Sequence, residues 1–142
     1  MHMQISQHYP PYEQKTYVVV TNNELARVYV AKEREIEEVK GFKAKEVDKE
    51  GTNSGTSHDG PRDFDEDKRN VRQAMYKSLS KYLLKELKAE DADLVLCAPE
   101  ALKNEVFESM HTDVQKAAEE VVPKNLASLE LDQIVRILQE VR

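Results

Sequence analysis

The stretch Thr16-Tyr17-Val18-Val19-Val20-Thr21-Asn22-Asn23-Glu24-Leu25-Ala26-Arg27-Val28-Tyr29 decides the fold. Its first six residues are β-branched or aromatic and show no polar alternation, the composition of a strand covered on both faces. Residues 16–21 are therefore expected at the centre of a sheet. Asn22-Asn23 follows, and asparagine tolerates the positive φ that a tight two-residue hairpin requires. Beyond that turn Ala26, Val28 and Val30 alternate with Arg27, Tyr29 and Ala31, the period-two pattern of a half-covered second strand. A third strand is expected over Arg34–Lys43, with a bulge where its apolar phase slips between Ile36 and Val39.

Downstream, residues 45–63 read KEVDKEGTNSGTSHDGPRD, with no apolar pattern beyond Val47. This is a long loop, and loops above about 12–15 residues without their own structure are functional or mobile. A helix is predicted from Asp65 to Ala89. Asp65-Glu66-Asp67 suits the positive end of its dipole. Val71, Met75, Tyr76, Leu79, Tyr82, Leu83 and Leu87 share one broad apolar arc, and Lys77, Lys81, Lys85 and Lys88 gather on the opposite side. Asp93–Ala98 is a short apolar strand closed by Pro99. A helix follows whose core face is Leu102, Val106, Phe107 and Met110. Thr112 and Gln115 fit capping-box spacing for a turn at Asp113–Ala117. A last strand is expected near Ala118–Val122, ending at Pro123, and a final helix over Leu129–Val141.

The order is βββαβαβα. Three strands linked by tight turns are antiparallel, and strands reached through helices run parallel to the first by right-handed crossover. The expectation is a single-domain α/β protein, a five-stranded mixed sheet with flanking helices in ribonuclease-H-like order. Residues 1–15, polar and holding Pro10-Pro11, read as a flexible lead-in to a domain of residues 16–142.

The chain has 142 residues and a formal charge of −6, from 21 Lys+Arg against 27 Asp+Glu. That is one domain's length, and 39% hydrophobic content can bury a core. The single cysteine, Cys97, forbids an internal disulfide, and with four scattered histidines it builds no Cys-rich zinc site. No apolar run approaches the ~20 residues of a membrane span, and the N-terminal sequence lacks the grammar of a signal peptide. A cytoplasmic location is the expectation.

Chemistry is harder to find. The carboxylates Asp59, Asp63, Asp65, Glu66 and Asp67 cluster, but Asp63-x-Asp65-x-Asp67 has Lys68 where a calcium loop needs glycine. They read as a solvated loop and helix N-terminal charges. His58-Asp59 has the makings of an acid–base pair, yet Ser54, Ser57 and Cys97 stand in no nucleophile motif. Cys97 lies in an apolar strand, the setting of an inert thiol. Phosphate-binding glycine motifs are absent. The organised positive surface is the stripe Lys77, Lys81, Lys85 and Lys88, extended toward the loop by Arg69 and Arg72. With His58 and Arg62, these residues make the candidate binding surface for a protein partner or for RNA phosphates. The residues call for no cofactor or metal, and no catalytic residue emerges.

Residues 17–29 resemble the opening of the bacterial host attachment protein family, whose usual form is V-x-V-A-D-G-x-x-A-R-V-F. Leu94-Val95-Leu96-Cys97-Ala98-Pro99-Glu100 is similar to that family's LVLVAPP segment, and Lys124-Asn125-Leu126-Ala127-Ser128-Leu129 to its KDLTHLS segment. The resemblance covers residues 16–142. It implies kinship with the middle domain of archaeal and eukaryotic peptide-chain release factors, and so a ribosomal or RNA partner. In those relatives the loop before the long helix carries Gly-Gly-Gln, which promotes peptidyl-tRNA hydrolysis. Residues 51–62 hold isolated glycines and no glutamine, so that catalytic role is not carried over. Asn22-Asn23 also replaces the family's Asp-Gly. The expectation is a non-enzymatic binding module, with a ribosome- or RNA-associated factor as the alternative.

Overall fold

The computed structural model describes residues 2–44 and 64–141, with the side chains of residues 64–67, 119 and 141 outside the description. Six strands, β1 (His2–Gln4), β2 (Tyr12–Thr21), β3 (Leu25–Glu33), β4 (Glu35–Lys43), β5 (Asp93–Cys97) and β6 (Ala118–Val122), form one sheet. Their spatial order is β1-β4-β3-β2-β5-β6. The pairs β1–β4, β4–β3 and β3–β2 are antiparallel, whereas β2–β5 and β5–β6 are parallel. Among the described residues the helices that flank the sheet are α1 (Phe64–Ala89), α2 (Lys103–Ser109), α3 (Thr112–Ala117) and α4 (Leu131–Val141).

The alternation of β2 explains the layering. Tyr17 and Val19 point to one face, where they meet Met75, Leu79 and Leu83 of α1, Val106 of α2 and Val114 of α3. Val18 and Val20 point to the other, against Leu131, Ile134, Val135 and Leu138 of α4. A strand with helices on both faces has no need of polar positions, which is why Val18, Val19 and Val20 all have no exposed area. The same covering reaches β3. Its second face was expected to be solvated, but Tyr29 and Ala31 are buried on the α4 side.

The sheet has one strand more than expected. His2-Met3-Gln4, read from sequence as part of the lead-in, pairs with Glu35–Glu37 of β4. Ile5 follows it into the α4-side core at 3% exposure, and its N–H bonds to the Arg34 carbonyl at 2.7 Å. A three-residue strand has no room for a periodic signal, so only the partner strand reveals it. The bulge in the third strand is present. Val28 pairs with Lys40 and Tyr29 with Glu38, leaving Val39 as the extra residue.

The first hairpin turns differently from its expected mechanism. Glu33 is the one non-glycine residue with positive φ among the described residues, at 54°, and it sits in the tight β3–β4 turn. At the β2–β3 turn the Asn22 side chain does the work instead. Its Oδ1 accepts the N–H groups of Glu24 at 2.8 Å and Leu25 at 3.0 Å, the local competition that makes asparagine a turn former. The expected Thr112 cap is displaced by one residue, since His111 Nδ1 accepts from the Asp113 N–H at 3.0 Å and α3 begins at Thr112.

Candidate nucleic-acid interface

Helix α1 is amphipathic in the sense needed to present a charged face. Met75, Leu79 and Leu83 are fully buried against the sheet, and 100° per residue puts Lys77, Lys81, Lys85 and Lys88 opposite them within an arc of about 80°. All four lysines are exposed. Eleven steps of 1.5 Å spread them over about 16 Å. None has an ion-pair or hydrogen-bond partner among the described residues. Four unneutralised ammonium groups in a row are a surface that a phosphate chain can track.

The helix is fixed at several points, so the row is presented rigidly. The Tyr76 hydroxyl donates to the Asn22 carbonyl at 2.9 Å, joining α1 to the β2–β3 turn. Burial pushes that phenol up to about 12. Tyr17 donates to Glu86 at 3.2 Å, and Ser80 Oγ accepts the His111 N–H at 2.8 Å at the start of α3. Lys15 of β2 reaches Glu90, just beyond the helix end, at 2.7 Å.

Of the two arginines expected to extend the stripe, Arg72 is held by a neighbouring helix and Arg69 is exposed. Arg72 grips Glu105 of α2 through both ends of its guanidinium, Nε to Oε2 at 2.8 Å and the second nitrogen to Oε1 at 2.9 Å. That pairing holds the Glu105 carboxyl below the usual carboxylate value. Arg72 is thus engaged in joining α1 to α2. Arg69 is exposed and lies about 80° around the helix from Lys77, toward the same glutamate, whose carboxyl its charge also lowers. His58 and Arg62 lie outside the described residues, as do the side chains of Asp59, Asp63, Asp65, Glu66 and Asp67.

A model of bacterial archaeo-eukaryotic release factor family 12 matches residues 15–138. The chain belongs to that family. The match takes in β3 to β6, α1 to α3 and most of β2 and α4, and it leaves β1 outside. Its description carries the release-factor side of the sequence resemblance and not the host-attachment side. Comparison with individually curated proteins finds no match.

The described part of this family 12 chain holds little that resembles a reaction centre. Cys97 is fully buried, and desolvation pushes its thiol up to about 12, so no nucleophilic thiolate forms near neutral pH. His111 is committed to its cap and His2 lies 3.1 Å from Glu35 at the sheet edge. Among the described residues no three His, Cys, Asp or Glu side chains converge to hold a metal ion, and no helix is long and apolar enough to cross a membrane. What sequence reasoning missed was Glu105. Its partnership with Arg72 spans 33 positions in the chain, and no local pattern encodes such a contact.

Proposed function

We propose that this family 12 chain is a non-enzymatic, ribosome- or RNA-associated binding protein that contacts phosphate through the lysine face of α1. The observation that carries the reading is the row Lys77, Lys81, Lys85 and Lys88, exposed and without ion-pair partners among the described residues, on a helix anchored along its length, in a chain of release-factor kinship. The inner strand order β4-β3-β2-β5-β6 supports a ribonuclease-H-like reading of the fold with β1 added at its edge. A cytoplasmic site of action goes with a ribosomal partner. Peptidyl-tRNA hydrolysis of the release-factor kind is not part of the proposal, because residues 45–63 contain no glutamine and the chain has no Gly-Gly pair. The host-attachment resemblance describes a biological association and adds no residue to this surface.

Sedimentation through sucrose gradients with ribosomes at two salt concentrations tests the proposal. The protein is expected in the ribosomal fractions at low salt. Binding to a single-stranded RNA oligonucleotide should weaken with a log–log salt slope of about −3, since each phosphate contact on a single strand contributes about −0.7. Replacing the four lysines by glutamine should flatten that slope. Replacing Lys32, Lys40, Lys43 and Lys124 instead should leave it in place. A wild-type protein that stays at the top of the low-salt gradient, or a slope indifferent to the α1 lysines, rejects the reading.

A further inference from the structure

We propose that the open part of the sheet face beside α1 is a docking surface for a lysine- and arginine-rich protein segment with apolar anchors. It is separate from the lysine row and is not needed for phosphate contact. Between α1 and the β4 side of the sheet lies a concavity of about 1150 Å³. That volume exceeds the ~300–1,000 Å³ of small-molecule clefts, so the shape suits an extended or helical peptide.

Its lining is apolar and aromatic where it meets the sheet and α1. Tyr17 and Val30 come from β2 and β3, Tyr82 from α1, and Val39 from the β4 bulge. Val39 is 39% exposed and is the one exposed large hydrophobic side chain among the described residues. The bulge makes this possible, because an extra residue in one strand re-aims its side chain out of register. An exposed valine in a concavity that the half-buried Tyr82 also lines is an anchor point for a partner's apolar residue.

The charge around this lining selects the partner. Five glutamates line the concavity, Glu13, Glu33, Glu35, Glu37 and Glu86, against the cations Lys15, Lys32 and Arg34. Two of the cations are already committed: Lys15 to Glu90 at 2.7 Å, and Arg34 to the carbonyls of Ser6 at 2.9 Å and Tyr9 at 2.8 Å. By contrast Glu13, Glu33 and Glu37 have no partner among the described residues. A phosphate chain would be repelled here. A cationic segment with apolar side chains at helical spacing satisfies both the valine and the free carboxylates.

Fluorescence anisotropy with a labelled 14-residue peptide of leucine at i, i+3, i+4 and i+7 in a lysine and arginine background reads this directly. Saturable binding to the full chain is expected, weakened at least tenfold by Val39→Asp and at least tenfold by Glu33→Lys with Glu37→Lys. Glutamine replacement of the four α1 lysines should leave it unchanged. These sites are exposed, and an unchanged far-ultraviolet circular dichroism spectrum and melting temperature confirm folding. Three results overturn the proposal. One is equal binding by a lysine-only peptide, which would reduce the effect to attraction by an acidic chain. Another is peptide binding that falls with the glutamine replacement of the α1 lysines, which would place the peptide outside this concavity. The last is a sedimentation-velocity dimer that Val39→Asp dissociates, which would make the occupant a second copy of this chain.

Discussion

Asn22 shows how one side chain holds two layers together. Its amide oxygen closes the β2–β3 turn, and its carbonyl accepts the hydroxyl of Tyr76 from the helix above. Both residues are buried, so the bond has no water to replace it. Tyr76→Phe therefore removes the shorter of two hydroxyl contacts to that carbonyl, leaving Thr21 Oγ1 at 3.2 Å, at a cost of about 1 kcal/mol, which chemical denaturation at neutral pH measures. The phenol also sets an alkaline limit. The unfolded tyrosine ionises near 10 and the folded one only near 12, so the native state binds more protons between those values and stability falls as pH rises through them. Burial raises Tyr17, Tyr29 and Tyr82 in the same direction. The wild type should lose stability above pH 10, and Tyr76→Phe should lose less across that window; equal losses would separate the hydroxyl from the alkaline limit. Asn22 was legible in the sequence as a turn residue, but for the wrong reason. The identity Asn-Asn signals a turn whether it works through positive φ or through a side-chain acceptor, and only coordinates distinguish the two.

At the scale of elements, α1 was readable almost to the residue because its apolar period persists for the length of 26 residues. The lysine row was readable for the same reason. What was hidden is how α1 is tethered sideways. Arg72 falls within the predicted helix, and a sequence reading places it among the basic residues available to a ligand; its real partner is on α2. Each is about four-fifths removed from solvent, at 20% and 23% side-chain exposure, and a bidentate arginine–carboxylate pair in that setting contributes about 1.5–3 kcal/mol. The pH sign follows from Glu105. Its carboxyl titrates below the ordinary 4.5 in the folded chain, so the stabilisation is complete above that value and is lost as pH falls through the lowered one. Glu105→Gln should be less stable than wild type at pH 7, and the gap should begin to narrow as the pH falls below 4.5. Thermal melts of the two proteins from pH 7 to pH 3 follow it. A gap that persists unchanged at pH 3 would assign the effect to packing of α2 rather than to the ion pair.

For the whole molecule the question is whether β1 belongs to the cooperative unit or is an attachment to it. The family match begins at residue 15, inside β2, yet the α4-side core includes Ile5 and Tyr12 together with Ile36 and Leu138. The sequence hid this because three paired residues and one isoleucine, followed by Pro10-Pro11, carry no period that separates them from a tail. Burial argues for membership. Ile5 is as enclosed as Leu131 and Leu138, each at 3% exposure, and the Arg34 guanidinium pins the intervening loop by two carbonyls. Ile5→Ala should therefore cost about 2–3 kcal/mol, at the low end for core truncations because a cavity at the sheet edge can relax. In a chain of this size that lowers the melting temperature by about 5–10 °C. Hydrogen exchange gives the complementary reading: if β1 unfolds only with the rest, the Ile5 amide should be protected to the same free energy as the β2 amides Val18–Val20. If Ile5→Ala leaves the melting temperature unchanged while the Ile5 amide exchanges quickly, β1 opens on its own, and the cooperative unit is then the stretch the family match covers.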